Sequence, residues 1–131
     1  MRIFWAIALG AALGGISRHY LSVFIQQRAA ADFPTGTLVI NVTGSFVLGF
    51  ILRYALQTDV ITPETRAFLT TGFCGGYTTF STFSYETAKL LEDGEYGRAG
   101  LYVGASVGVA LFATFLGFAA AQRLLNFRPH A

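Results

Sequence analysis

The chain has 131 residues, of which 53% are hydrophobic and only 12% charged, with a mean hydropathy of +0.54 and a net charge of +2. This is too apolar for a soluble domain of its size and reads as one small integral membrane domain covering residues 1–131. The basic residues are scattered singly, which speaks against nucleic acid as a partner. The lone Cys74 rules out an intrachain disulfide or a multi-cysteine metal site, and two histidines, His19 and the tail residue His130, assemble no catalytic triad, so the chain is read as no enzyme.

Behind Arg2, the apolar stretch 3–15 has the shape of a short signal peptide. Apolar residues resume over 21–25, however, and further spans follow, so a retained first transmembrane helix is expected. Its interior carries Arg18 and His19. A charge at the bilayer centre costs about 2.5–3.5 kcal/mol on insertion scales. Arg18 is therefore expected either to snorkel towards the end marked by Gln26, Gln27 and Arg28 or to face a water-filled vestibule. Gly10 and Gly14 supply a small-residue face for close helix packing.

Pro34 opens a second span, uncharged over 36–52 and ended by Arg53. Asn41 is its most expensive polar group, and the amide must find a partner on another helix or a ligand. Thr37 and Ser45 lie one turn to either side and extend a polar stripe.

After a short connection with Pro63 placed for a helix first turn, residues 67–85 carry no charge and are long enough to cross a bilayer. Gly72, Gly75, Gly76 and the pair Thr78-Thr79 make this a poor continuous helix, so a third span broken in mid-membrane is expected. Backbone groups freed inside hydrocarbon are tolerated only where protein buries them, where they line a polar cavity, or where they bind an ion. Beyond the break Phe80 and Phe83 share one helical face, with Thr79, Thr82 and Glu86 on an adjoining stripe. The two rings either line a path or pack against lipid.

Lys89 and the acidic residues up to Glu95 form a polar turn before the fourth span, 99–122. Gly100, Gly104 and Gly108 repeat on one face and suggest a packing seam. Tyr102, Ser106, Ala110 and Thr114 repeat about 200° away. That stripe is either a polar track or a set of hydroxyls bonded back to carbonyls one turn earlier.

With four spans, Arg2, Arg53, Arg66, Arg123 and Arg128 fall on one side, against Arg28, Lys89, Arg98 and a snorkelling Arg18 on the other. Lys and Arg asymmetry sets orientation, so so balanced a chain is expected to insert both ways up. An antiparallel two-fold homodimer would accommodate both orientations and cover the polar stripes.

Three segments carry a family resemblance: Gly14-Gly15-Ile16-Ser17-Arg18-His19-Tyr20, Asn41-Val42-Thr43-Gly44, and Gly72-Phe73-Cys74-Gly75-Gly76-Tyr77-Thr78-Thr79-Phe80-Ser81-Thr82-Phe83. Together they resemble the signatures of the Fluc/CrcB fluoride channels, over essentially the whole chain; the third is long and specific. The resemblance implies an all-α, four-helix protein, multi-pass in the bacterial cell inner membrane. It further implies an antiparallel dual-topology homodimer that exports fluoride by passive electrodiffusion and so lowers cytoplasmic fluoride.

By the same resemblance Phe80 and Phe83 correspond to the paired pathway phenylalanines and Asn41 to the pore asparagine. Arg18 corresponds to the vestibule arginine, and Tyr102, Ser106 and Thr114 to a polar track that Ala110 interrupts. Gly75 and Thr78 correspond to backbone carbonyl donors to a structural Na+ at the dimer centre.

The chemistry is coherent with that reading. Fluoride is strongly hydrated, and the Asn41 amide together with the hydroxyls of Thr79, Thr82, Tyr102, Ser106 and Thr114 can replace its water. Aromatic rings offer positive edges without a fixed cation that would trap the ion. The principal alternative is a small dual-topology, proton-coupled multidrug exporter, which needs a carboxylate deep in the membrane; only Glu86 is available, near the end of its span. A scaffold subunit would explain the glycines but not the hydroxyl stripe.

Overall fold

Every regular element in the computed structural model is helical, and the description covers residues 1–128. His130 lies outside the described residues. Helix α1 (Arg2–Arg28) and α2 (Thr35–Leu56) are joined by a short loop. Helix α3 (Pro63–Ala67) runs through a π-helical segment (Phe68–Cys74) into the single turn α4 (Gly75–Tyr77). After two extended residues come α5 (Phe80–Glu92) and α6 (Tyr96–Asn126).

Helices α2 and α6 are each long and apolar enough to cross a membrane. At a rise of about 1.5 Å per residue, α1 also has spanning length, although Arg18, His19 and its glutamines dilute its apolar character. Exposed apolar side chains cover much of α1 and α6, among them Phe4, Trp5, Leu9, Leu111, Phe112 and Phe115. A chain in water would bury these; in lipid they are the solvent-facing surface.

The helix starts have local causes. Thr62 accepts a hydrogen bond from the Thr65 amide at 3.2 Å, and Pro63 occupies the first turn, where its missing N–H costs nothing. Thr79 caps α5 in the same way, accepting from the Thr82 amide at 3.2 Å. Between α5 and α6 the chain reverses at Gly94, whose φ of +77° suits glycine.

Small residues set how closely the elements approach. Gly10 and Gly14 of α1 lie directly against backbone of the π-helical segment and α4, where any Cβ would strike the carbonyls of Phe68 and Phe73. Gly72 and Gly76 reciprocate, the first 3.0 Å from the Gly10 Cα by its would-be Cβ and the second 2.6 Å from the Ala11 carbonyl oxygen. On the other side of the molecule, Gly49 meets the Thr114 carbonyl and Gly117 the Phe46 carbonyl, which locks α2 to α6.

Two sequence expectations shift here. The glycines of the third segment stay helical, because they are used for contact with α1; the interruption falls at Thr78 and Thr79 (ψ of 159° and 116°). The expected seam at Gly100, Gly104 and Gly108 meets nothing among the described residues. The contacts at Gly49 and Gly117 fix the rotation of α6, turning Tyr102, Ser106 and Ala113 inward and those three glycines outward.

Candidate anion pathway

The interruption between α4 and α5 is held from α2. Asn41 accepts from the Thr79 amide through Oδ1 at 2.8 Å and donates from Nδ2 to the Thr79 carbonyl at 3.1 Å. One side-chain amide thus replaces both helical bonds that the extended Thr79 forgoes, which is why the chain can leave the helix there. Asn41 therefore acts as glue, but only one of its two N–H groups is spent; the residue also lines a cavity of ≈260 Å³ with Ser45, Thr79, Phe80, Phe83 and Ser106.

Ser106 carries the fully buried polar atom in that wall that has no partner. Its Oγ is buried and unbonded, an unusual state for a hydroxyl, since burying one without compensation costs roughly 1–3 kcal/mol. Phe80 and Phe83 lie 5.6 Å apart by ring centroids; Phe80 is 78% exposed on the open side of the cavity and Phe83 half-buried. No Lys or Arg is among the cavity's lining residues.

Thr82 and Tyr102 continue the polar route. The Thr79 hydroxyl donates to Thr82 Oγ1 at 3.1 Å, and Thr82 lines a second space of ≈250 Å³ with Thr37, Gln26 and Glu86. Tyr102 is fully buried, 5.1 Å from Phe83 by ring centroids, and its hydroxyl donates to Glu86 Oε1 at 3.3 Å. Glu86 also faces a wider space of ≈430 Å³ lined by Phe33, Asp32, Lys89 and Arg98. There Arg98 pairs with Asp32 at 2.7 Å, and Lys89 with Glu92 and Asp93 at 3.2 and 3.4 Å. The hydrogen bond to Glu92 and the neighbouring acidic charges hold the Lys89 ammonium above its ordinary pKa.

Other residues singled out from the sequence lie apart. Thr114 bonds back to the Ala110 carbonyl at 3.0 Å and does not line the cavity. Arg18 donates from Nε to the Gly76 carbonyl at 3.0 Å, on the α1 side of α4. Thr78 spends its hydroxyl on the Cys74 carbonyl at 2.9 Å. Among the described residues no donor reaches the carbonyls of Gly75 and Thr78, and both residues line a third space of ≈320 Å³ beside Thr70 and Cys74.

Two participants escaped the sequence reading: the bond between Thr43 Oγ1 and the Tyr77 hydroxyl at 2.8 Å, and Phe33. Phe33 carried one weak signal, an aromatic ring immediately before the proline that opens α2.

The arrangement offers amide and hydroxyl donors and ring edges, without a fixed cation, to a species small enough for a narrow cavity. That suits a small anion passing through more than one that is held.

Comparison with known proteins adds to this geometry. The family described as CrcB-like protein, Camphor Resistance (CrcB), matches residues 5–118. The chain is 50% identical over 119 residues to a protein of Geobacter sulfurreducens named fluoride-specific ion channel FluC, covering 91% of this chain and 96% of that one. A protein of the same name from Thermococcus gammatolerans is 48% identical over 118 residues, covering 90% and 94%. Another from Rhizobium meliloti is 44% identical over 113 residues, covering 86% and 90%.

Proposed function

The chain belongs to the CrcB-like family, and we propose that it is a fluoride-specific ion channel whose path runs through the cavity between Asn41, Phe80, Phe83 and Ser106. The observation that carries this reading is the cavity itself, walled by Asn41 with one N–H unspent, by the two phenylalanine rings and by Ser106, whose hydroxyl is buried without a partner. A buried donor without a partner calls for an explanation, and a ligand that completes its bonding is one. Fluoride accepts from such donors; the second Asn41 N–H and the Thr82 hydroxyl can give it weak successive contacts, whereas Thr79 and Tyr102 already donate, to Thr82 and to Glu86. Passive electrodiffusion then drains fluoride from the cytoplasm.

The finer architecture in this proposal is an antiparallel, dual-topology homodimer of four-span subunits in the cell inner membrane, with the α4–α5 interruption at mid-membrane. Its support is the balanced distribution of Arg and Lys, and the outward face of Gly100, Gly104 and Gly108, which none of the described residues covers. The exposure of Phe80 points the same way, since a second copy would close the open side of the cavity.

The resemblance also implies a structural Na+ at the dimer centre. The carbonyls of Gly75 and Thr78 fit a hard cation, because they are oxygens that no donor among the described residues satisfies. Two copies of the chain would double the set. The ion's part would be to bind the subunits at the interruption, while Arg18 holds the Gly76 carbonyl away from that duty.

A proton-coupled exporter requires a carboxylate in the transport cavity. Glu86 does not line the cavity at Asn41; it borders the two spaces beyond it, one shared with Thr82 and the wider one shared with Phe33.

The test is potassium-driven efflux from liposomes holding the purified protein, followed with fluoride and chloride electrodes. Rapid fluoride release with negligible chloride release is expected. Comparable release of chloride would sink the specificity, and a strict requirement for a proton gradient would favour the exporter.

A further inference from the structure

The aromatic rings do not stop at Phe83. Ring centroids follow one another at 5.6 Å from Phe80 to Phe83, 5.1 Å from Phe83 to Tyr102, and 5.6 Å from Tyr102 to Phe33. The row begins in the cavity at Asn41 and ends in the wider space beside Lys89 and Arg98, which Phe33 lines. Phe33 meets Tyr102 at 78° between ring planes, an edge-to-face contact, so Tyr102 is packed by two rings as well as being fully buried. The hydroxyl of the ring so packed reaches Glu86 Oε1 at 3.3 Å.

The loop that presents Phe33 is pinned by one side chain. Gln26 donates from Nε2 to the Phe33 carbonyl at 2.9 Å and to the Ala30 carbonyl at 3.3 Å, and its Oε1 accepts from the Gly36 amide at 3.0 Å. The end of α1, the loop and the start of α2 are thereby joined through a single amide. The pair of Asp32 with Arg98 ties the same loop to α6.

We propose that Phe33 is a positioning residue for the outer half of the pathway, holding the Tyr102 ring so that its hydroxyl stays on Glu86, and that Gln26 acts through Phe33. This rests on the channel reading above. Replacing Phe33 by Leu keeps apolar bulk but removes the ring contact. Replacing Gln26 by Met keeps length but removes all three hydrogen bonds.

The experiment measures fluoride efflux from liposomes for purified, monodisperse Phe33→Leu, Gln26→Met, the double variant and Phe33→Tyr. Each of the first two is expected to conduct roughly two- to tenfold more slowly than the wild type, the size of effect one aromatic pair can exert. The double variant should be no slower than Phe33→Leu alone, because Gln26 has nothing left to position. Phe33→Tyr should recover most of what Phe33→Leu loses. Should Phe33→Leu fail to fold, Phe33→Met takes its place with the same two outcomes. Wild-type rates in the folded ring-less variant, multiplying losses in the double variant, or a Phe33→Tyr as slow as Phe33→Leu would each overturn the positioning role. A wild-type protein that releases no fluoride would overturn the channel reading itself.

Discussion

Replacing Asn41 by Asp separates the two duties of that side chain. An ionised Asp keeps the bond from the Thr79 amide at 2.8 Å but has no hydrogen to give the Thr79 carbonyl, now 3.1 Å from the donor. The lost bond and the orphaned carbonyl together cost about 2 kcal/mol of stability, a moderate destabilisation. The effect on conduction should be larger. A unit negative charge about 4 Å from an anion repels it by about 4 kcal/mol at an effective dielectric constant of about 20. That corresponds to an occupancy, and hence a flux, lower by about 10³.

Asn41→Ala removes the donors without adding the charge and should lose less flux than Asn41→Asp, although it gives up both bonds to Thr79. Efflux from liposomes, with size-exclusion profiles and melting curves for each variant, reads both quantities. Fluoride flux in Asn41→Asp within twofold of the wild type would refute the placement of Asn41 on the path. An Asn41→Ala as slow as Asn41→Asp would instead assign the loss to collapse of the Thr79 clamp.

Phe80→Ile and Phe83→Ile keep bulk and apolarity but remove the ring edges; each should lose most of the fluoride flux, and wild-type flux in the folded variants would return both rings to packing. Ser106→Ala should slow fluoride efflux while leaving or raising thermal stability, because the hydroxyl it deletes has no partner in the protein; a destabilised variant would mean the hydroxyl is bonded after all. Gly14→Val should lower the yield of folded protein sharply, since its side chain would enter the backbone of Phe73 and Tyr77, whereas Gly97→Val meets nothing and should fold, as melting curves would register. Labelling of Asp59→Cys, an exposed position between α2 and α3, should proceed partly from each side of the membrane in intact cells and inverted vesicles, and labelling from one side alone would rule out dual topology.

Composition and local pattern made several features of this protein legible. Apolar content beyond what a soluble domain of 131 residues can bury points to lipid, and uncharged runs long enough to cross it point to helices. Pro63 marks a helix start that the Thr62 cap accompanies. The spacing of Phe80 and Phe83 puts them on one face whatever surrounds the helix, and their rings do adjoin. Such features follow from a few consecutive residues, so no distant partner is needed to read them.

Other features depended on which elements met. Glycines and a Thr-Thr pair together marked the third segment as breakable, but not which of them breaks it: contact with Gly10 and Ala11 keeps the glycines helical, and the chain leaves the helix at the threonines that Asn41 clamps from 38 residues away. Tyr102, Ser106 and Thr114 share a stripe in the sequence but not a fate: Tyr102 bonds Glu86, Ser106 is left bare, and Thr114 turns back to Ala110. Periodicity states which side chains share a face of a helix but not which way that face is turned. For α6 that rotation is set by backbone contact at Gly49 and Gly117, and the same stripe carries a buried, unpartnered donor at Ser106 and a satisfied one at Thr114.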